Sequence, residues 1–331
     1  MKKSYFLSKS IIPSHFVSKH WDIYPKNFGD NLFDKDKLSK FRNNELSFKC
    51  NDTLEKRTSV KEIRVLQRLS KIVNRGFIEN NKEEKIGKPK TFNFNKSFYD
   101  YHDLFLIYFF HVLLPFINQK SQKKKRVFIL EIGGGYGGLA YKIKRSFPET
   151  TCILLDLPEA NFISNHYIKS LEPKAKILNL EKILKQKGVK TTDYLSINES
   201  DILKYDYVIL PGYLLENFVG RFIDFSINTR SFMEMNLQTI NFYFCHIQRL
   251  IAENGFFYCV NRYKKSTSGD IVKFKKFPFD KFWDPIVWQK SFFQPMIHEA
   301  LLKRQVEENS SFMKKLNRLK PYDVEFFTSF I

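Results

Sequence analysis

Val127-Phe128-Ile129-Leu130-Glu131-Ile132-Gly133-Gly134-Gly135-Tyr136-Gly137-Gly138 is the stretch on which the fold turns. Val127–Ile132 is a short apolar run that reads as a buried strand, broken only by Glu131. The glycines that follow tolerate positive φ and let a backbone approach a ligand with no Cβ between them. Leu139–Phe147 has helical spacing, so the turn joins a strand to a helix whose first N–H groups have no partner inside the helix. That context is the one a nucleotide-binding glycine turn requires.

Outward from this point, strands and helices alternate. Cys152–Leu155 is a second apolar run ending at Asp156, and Pro158 suits the first position of a helix reaching about Leu171. Further strands are expected at Tyr207–Leu210, Phe222–Ile227 and Phe256–Val260, with a helix over Leu237–Glu253 closed by Asn254-Gly255. Lys176–Leu180 fits either a third strand or part of a helix. Ile297–Leu319 predicts a helix with Pro321 as its stop. Alternation of this kind implies parallel pairing: an α/β, Rossmann-like sheet with helices on both faces.

The chain has 331 residues and a formal charge of 55 − 35 = +20, enough length for one large domain or two. We divide it into a mainly helical section, 1–96, placed to cover the site, and the sheet domain, 97–331. In the first part Ser59-Val60-Lys61-Glu62 fits a capping box, the pattern Ile63, Leu66, Leu69, Ile72 and Val73 is helical, and Gly76 reads as a stop. Residues 79–96, rich in Asn, Lys and Glu with Gly87 and Pro89, read as a linker or exposed loop. A buried helix over Ser97–Asn118 follows, with Pro115 expected to kink or end it. Its apolar stretch, Leu104–Ile117, is shorter than the ~20 residues that span a bilayer. The basic N-terminus is not followed by the apolar core of a signal peptide. Expectation is therefore a cytoplasmic protein without a transmembrane segment, leaving peripheral membrane contact open. Cys152 and Cys259 sit in apolar runs and read as buried free thiols.

Two cofactors compete for the glycine turn. Gly133-x-Gly135-x-x-Gly138 formally matches a dinucleotide fingerprint, while Glu131-x-Gly133-x-Gly135-x-Gly137 sets an acid two residues before the first glycine. An acid there suits a cationic amino group and repels a pyrophosphate. S-adenosylmethionine carries an ammonium and a sulfonium and no phosphate, so Glu131 favours it over NAD. Asp156, at the next strand end, can accept from a ribose diol.

Glu131–Gly138 and Asp156 resemble the first two cofactor motifs of the class I methyltransferases. The longer string Leu130–Leu139, with Asp156-Leu157-Pro158-Glu159, is similar to the sugar O-methyltransferase family of bacterial surface-polysaccharide gene clusters. Asn228-Thr229-Arg230-Ser231-Phe232-Met233-Glu234-Met235 and Asn261-Arg262-Tyr263 resemble two later segments of that family. The resemblance covers roughly 127 to 263. It implies S-adenosylmethionine-dependent methyl transfer to a sugar hydroxyl, with Glu131, Gly133, Gly134, Gly135, Tyr136, Gly137, Asp156, Leu157 and Asn228 on the cofactor side. Glu234 would be the general base or hydroxyl-orienting group and Ser231 its polar neighbour in catalysis. Arg262 and Asn261 would meet the acceptor, Arg262 holding an anionic portion such as a nucleotide diphosphate or an acidic sugar.

The charge leaves a second class open. Lys120, Lys123, Lys124, Lys125 and Arg126 form a basic cluster, and an RNA methyltransferase would use such a surface; so would a methyltransferase-like subunit that only binds partners. The excess of lysine is spread along the chain, however, as composition alone can produce. His102, His111, His166 and His246 lie on predicted helices as core or helix-surface residues. No spacing of His, Cys, Asp and Glu argues for a metal, and there is neither a GxSxG elbow nor a Walker A loop.

Overall fold

The computed structural model describes residues 1–16, 32–43, 59–265 and 271–320. Its strands are β1 (Thr91–Phe94), β2 (Ser97–Asp100), β3 (Val127–Ile132), β4 (Thr150–Asp156), β5 (Ile177–Leu178), β6 (Tyr207–Pro211), β7 (Ile223–Thr229), β8 (Ile251–Arg262), β9 (Lys264–Lys265), β10 (Val272–Lys273), β11 (Trp283–Lys290) and β12 (Ile297–Arg304). Helices α1 (Lys2–Lys9), α2 (Lys35–Ser39), α3 (Ser59–Ile72), α4 (Arg75–Asn80) and α5 (Tyr101–Ser121) precede the sheet. Within and after it come α6 (Gly138–Ser146), α7 (Pro158–Leu171), α8 (Leu180–Lys187), α9 (Glu199–Ile202), α10 (Leu237–Leu250) and α11 (Ser310–Asn317).

Eight strands form one sheet in the order β11-β12-β8-β7-β3-β4-β6-β5. From β8 to β5 every pairing is parallel, whereas β12 runs antiparallel to both β8 and β11. The chain moves from β3 to β4 and β6 on one side, then returns to β7 and β8 on the other. Order therefore reverses between β3 and β7, and in an open α/β sheet the crevice outside the strand ends at that point is where ligands sit.

Residues alternate between two cores, as the pleat requires. Ile129, Leu154, Ile209, Phe225 and Tyr258 face α5, α6 and α7; Leu130, Ile153, Val208, Phe257 and Cys259 face α8, α10 and α11. Cys152 and Cys259 are buried and free, and burial pushes both thiols up, Cys152 to about 12.

Several elements differ from the sequence reading. Residues 91–100 are a hairpin, not a linker and a helix start, with Asn95 and Lys96 both at positive φ (50° and 64°) in its two-residue turn. The proposed division at 96/97 falls in that turn. Leu66, Leu69, Ile78 and Phe92 share one core with α5 and the sheet. Helix α5 starts at Tyr101, where the Asp100 side chain accepts the His102 N–H, and runs on past Pro115 to Ser121. It is the one described helix long and apolar enough to cross a membrane, and most of it is buried against the sheet. Gly76 lies inside α4, and Asn254-Gly255 sits within β8, where the pairing with β7 shifts register, because α10 already ends at Leu250. Residues 176–180 divide into the short β5 and the start of α8.

The largest difference lies over 297–319: a strand, β12, then a short helix, α11. Ile297–Leu302 is buried throughout between β8 and β11, His298 and Glu299 included, and a stretch covered on both faces has no period that separates strand from helix. The capping side chain of Ser59 and the stop at Pro321 lie outside the described residues.

Candidate cofactor and acceptor site

The glycine turn follows β3 at the reversal point. Gly133, Gly135 and Gly137 have φ of +70°, +58° and +86°. A Cβ at Gly133 would overlap the Ser231 side chain, and one at Gly134 would lie 3.0 Å from Glu131 Cδ. Gly133 needs glycine both for its backbone and for its neighbour, Gly135 and Gly137 for their backbone, and Gly134 for the tight approach of Glu131.

Glu131 is buried at the end of β3, on the α5 side, and its Oε2 has no hydrogen-bond partner. Burial first, then the charge of Asp156, pushes its carboxyl up to about 8, with only the Ala140 N–H pulling the other way. A buried acid in that condition is stabilised by an added cation or donor. Asp156 ends β4, with Gly135 N–H donating to Oδ2 at 2.9 Å and Leu157 N–H to Oδ1 at 2.7 Å. Burial still pushes it up to about 6, against those two bonds. A carboxylate offers about four acceptor positions, so two remain for a diol. Leu157 itself is the cap residue of α7, half-buried beside Asp156.

Tyr136 does not face this crevice. Its ring is 2% exposed, packs on Phe41 and Tyr167, and sends its hydroxyl to Glu83 Oε2 at 2.8 Å. The sequence reading placed it on the cofactor; the alternation of the turn, with glycines outward and the one large side chain inward, sends it to the core instead.

On the acceptor side, two buried asparagines stand behind the crevice. Asn228 Nδ2 donates to Ile132 O at 3.0 Å and to Ser231 Oγ at 2.6 Å, and its Oδ1 accepts from Phe232 N–H and from Asn261 Nδ2 at 2.8 Å. Asn261 Oδ1 accepts the Met233 N–H at 3.1 Å. Ser231 Oγ donates to Ile132 O at 3.1 Å and fills the space beside Gly133. These three side chains hold the Phe232–Glu234 turn and the end of β3 together. As placed, the amides of Asn228 and Asn261 are occupied with protein and act by positioning, not by contact with a ligand.

The turn they hold presents Glu234. Burial pushes its carboxyl up to about 7; Arg230 is the foremost charge opposing this, Asp156 adds to it, and Lys265 and Arg262 oppose it. Glu234 is thus within electrostatic reach of Asp156 and of the cations at the ends of β7 and β8. Arg230 itself adopts φ +68°, which L residues rarely take, with its guanidinium 5.1 Å from the Phe105 ring centre. Arg262 Nε and Gln294 Oε1 are both buried without a hydrogen-bond partner. Gln294 lies in the turn that leads into β12, whose Met296 O accepts the Tyr263 N–H next to Arg262; nothing in sequence singles it out.

Burial pushes His102 down to about 3 and, with Arg249, His246 down to about 4, so neither is suited to accept a proton near neutral pH and remain charged. His111 and His166 are also lowered by burial. Among the described residues no three His, Cys, Asp or Glu side chains converge as metal ligands. The basic cluster lies before β3, at the opposite strand ends from the crevice. There Lys124 pairs with Asp224 at 2.8 Å, and Arg126 donates to Thr150 O at 3.0 Å and Thr151 Oγ1 at 3.1 Å.

No family model matches the sequence, and no curated protein sequence does. Among solved structures the chain is similar to PH0226 protein from Pyrococcus horikoshii OT3, at 14% identity over 60% of this chain and 90% of that one, with a TM-score of 0.36. It is similar to geranyl diphosphate C-methyltransferase from Streptomyces coelicolor A3(2), solved with Mg2+, geranyl diphosphate and S-adenosyl-L-homocysteine, at 11% identity over 61% and 82% with a TM-score of 0.37. It is also similar to TehB from Haemophilus influenzae, at 11% identity over 58% and 62% with a TM-score of 0.34.

Proposed function

We propose that the chain is an S-adenosylmethionine-dependent O-methyltransferase acting on a sugar hydroxyl, in the cytoplasm, on a surface polysaccharide or its nucleotide-linked precursor. The observation that carries the cofactor is the pair of buried acids around the glycine turn. Glu131, with an orphaned oxygen, and Asp156, bonded to Gly135 N–H, together suit a ligand with a cationic amino group and a ribose. A pyrophosphate laid on the same turn would instead meet the Glu131 carboxyl, which repels it.

Bound there, S-adenosylmethionine supplies an electrophilic methyl carbon for in-line displacement. The residues of this chain do the rest. Glu131 holds the amino group, Asp156 the ribose hydroxyls, and the Gly133–Gly137 backbone shapes the floor. Glu234 accepts the acceptor hydroxyl's proton; a base pushed up to about 7 is divided between its two forms near neutral pH, which is where a general base is most effective. Arg262, with its unpartnered Nε, orients the acceptor and suits an anionic portion of it, a phosphate or a uronate. Asn228, Asn261 and Ser231 fix the base relative to the glycine turn.

Calorimetric titration with S-adenosylmethionine, S-adenosylhomocysteine and NAD tests the first step. Micromolar binding of the first two without NAD is expected; NAD binding alone overturns the reading of Glu131. A labelled methyl donor offered to neutral, phosphorylated and uronic sugars then tests the second step, and transfer to RNA but to no sugar overturns it.

A further inference from the structure

A turn with three positive-φ glycines in five residues has little rigidity of its own, since glycine loses more conformational freedom on ordering than any other residue. Asp156 and Ser231 hold it on the crevice side, and on the other side the hold comes from the N-terminal section. Glu83 is buried beside the turn, its Oε2 2.9 Å from the Arg42 guanidinium and accepting the Tyr136 hydroxyl at 2.8 Å. Its Oε1 lies 3.8 Å from Lys142 Nζ, one helical turn past Gly138. Its own N–H donates to Asp103 Oδ2 at 2.9 Å, and Asp103 pairs with Lys142 at 2.5 Å. Arg42 also pairs with Asp100, which caps α5, and stacks 4.8 Å from the Tyr136 ring centre. Lys142 donates in addition to Asn81 O at 2.6 Å.

Gly138 shows how close this network comes. It does not have a positive φ, so its backbone does not call for glycine. A Cβ there would instead overlap Glu83 Oε1 and lie 2.7 Å from both Leu106 and the Tyr136 ring. The last glycine of the motif is thus explained by a carboxylate 55 residues earlier in the chain. Glu83 touches the turn from within, through Tyr136, and from behind, through Gly138 and Lys142.

We infer that Glu83 is a positioning residue of the cofactor site, holding the glycine turn in its ligand-ready form through Tyr136 and Gly138, so that 1–96 is a working part of that site and not only a cover. The inference rests on the reading of the turn as a cofactor site. Preorganisation of this kind raises affinity by removing the ordering cost from the binding step.

The test compares wild type, Glu83→Gln, Tyr136→Phe, their double variant and Glu299→Gln. Glu299 is an equally buried carboxylate, bonded to Tyr108, Tyr258 and Gln289 on β12, three strands from β3. Two readouts are taken: S-adenosylhomocysteine affinity by calorimetry, and ligand-free hydrogen exchange of the backbone amides at 133–138. Glu83→Gln and Tyr136→Phe should each raise the Kd about tenfold, the double variant no more than the worse single, since they act through one path. Both should speed exchange at 133–138, while Glu299→Gln changes neither readout beyond about twofold despite a lower melting temperature. Folded Glu83→Gln and Tyr136→Phe proteins with wild-type affinity and exchange overturn the inference, as does an equal loss in Glu299→Gln. Should wild type bind no S-adenosylhomocysteine, the functional reading fails by itself and the exchange readout alone decides for or against Glu83. If Glu83→Gln does not fold, Tyr136→Phe, which removes one hydroxyl, carries the comparison.

Discussion

At the ends of β3 and β4, two acids keep acceptor positions unused; at the ends of β7 and β8, the asparagines have all of their partners. Glu131 has an oxygen with no donor, and Asp156 keeps two acceptor positions open toward the crevice. Asn228 and Asn261 use their amides on Ile132 O, Phe232 N–H, Met233 N–H and each other. An unsatisfied buried group is costly and is stabilised by any donor a ligand brings to it, whereas a satisfied network rigidifies what it joins. The two regions close one crevice, and the difference separates the residues that meet a ligand from those that aim them. Substitutions on either side can break that division.

The largest effect is expected at Gly133. Alanine there would take a left-handed conformation and drive its Cβ into Ser231, the contact that joins the two regions. S-adenosylhomocysteine affinity should fall at least about a hundredfold by calorimetry, the loss expected when positioning fails by an ångström. Near-wild-type binding by Gly133→Ala would show that the turn tolerates movement and would remove it from the site.

Next is Glu234, the one carboxylate on the acceptor side assigned to chemistry. Glu234→Gln keeps shape and removes the base, and turnover should drop about a hundredfold with cofactor affinity unchanged. In wild type, kcat should rise with pH through about 7, the range to which burial pushes this carboxyl up. Turnover within about threefold of wild type would move Glu234 to the positioning group with its neighbours.

Asn228→Ala should act on stability instead. It leaves the Phe232 N–H without its acceptor inside the core and takes one of two partners from Ile132 O and Asn261 Nδ2, at a cost of about 2 kcal/mol in all. Denaturant unfolding measures this directly. Wild-type stability combined with lost cofactor binding would make Asn228 a ligand contact after all.

The same division explains what sequence could say. Strand β3, Pro158 at the start of α7 and Asp156 at a strand end follow from local pattern, because a strand, a glycine turn and a helix cap are each decided by adjacent residues. Asn228 and Asn261 were visible as positions yet not as roles, since satisfaction of an amide depends on partners 33 and 96 residues away. Glu83, Arg42 and Gln294 carried no signal of their own. One indirect signal existed for Glu83: Gly138, a glycine beyond those the turn conformation needs. Thr91-Phe92-Asn93-Phe94, with its strict alternation before Asn95, was a hairpin signal. In 297–302, burial on both faces removed the period that would have marked β12.

The smallest effect is also the sharpest test of what an unpaired group is for. Glu131 is pushed up to about 8 in the folded protein, well above the ordinary glutamate value near 4.5. Between those two values the folded state holds a proton that the unfolded state has released, so wild-type stability declines as pH rises across that window. The side-chain amide of a Glu131→Gln variant does not titrate, and groups common to both proteins cancel in the difference. The ligand-free variant should therefore match wild type near pH 4.5 and gain on it steadily as pH rises to 8. Its affinity for S-adenosylhomocysteine should fall several-fold over the same range, the charge that faces the amino group having been removed. Greater stability with weaker binding is the signature of a group kept for a ligand at the fold's expense. If Glu131→Gln instead loses stability at every pH, Glu131 belongs with Asn228 and Asn261 as a structural residue, and the contrast between the two sides of the crevice collapses.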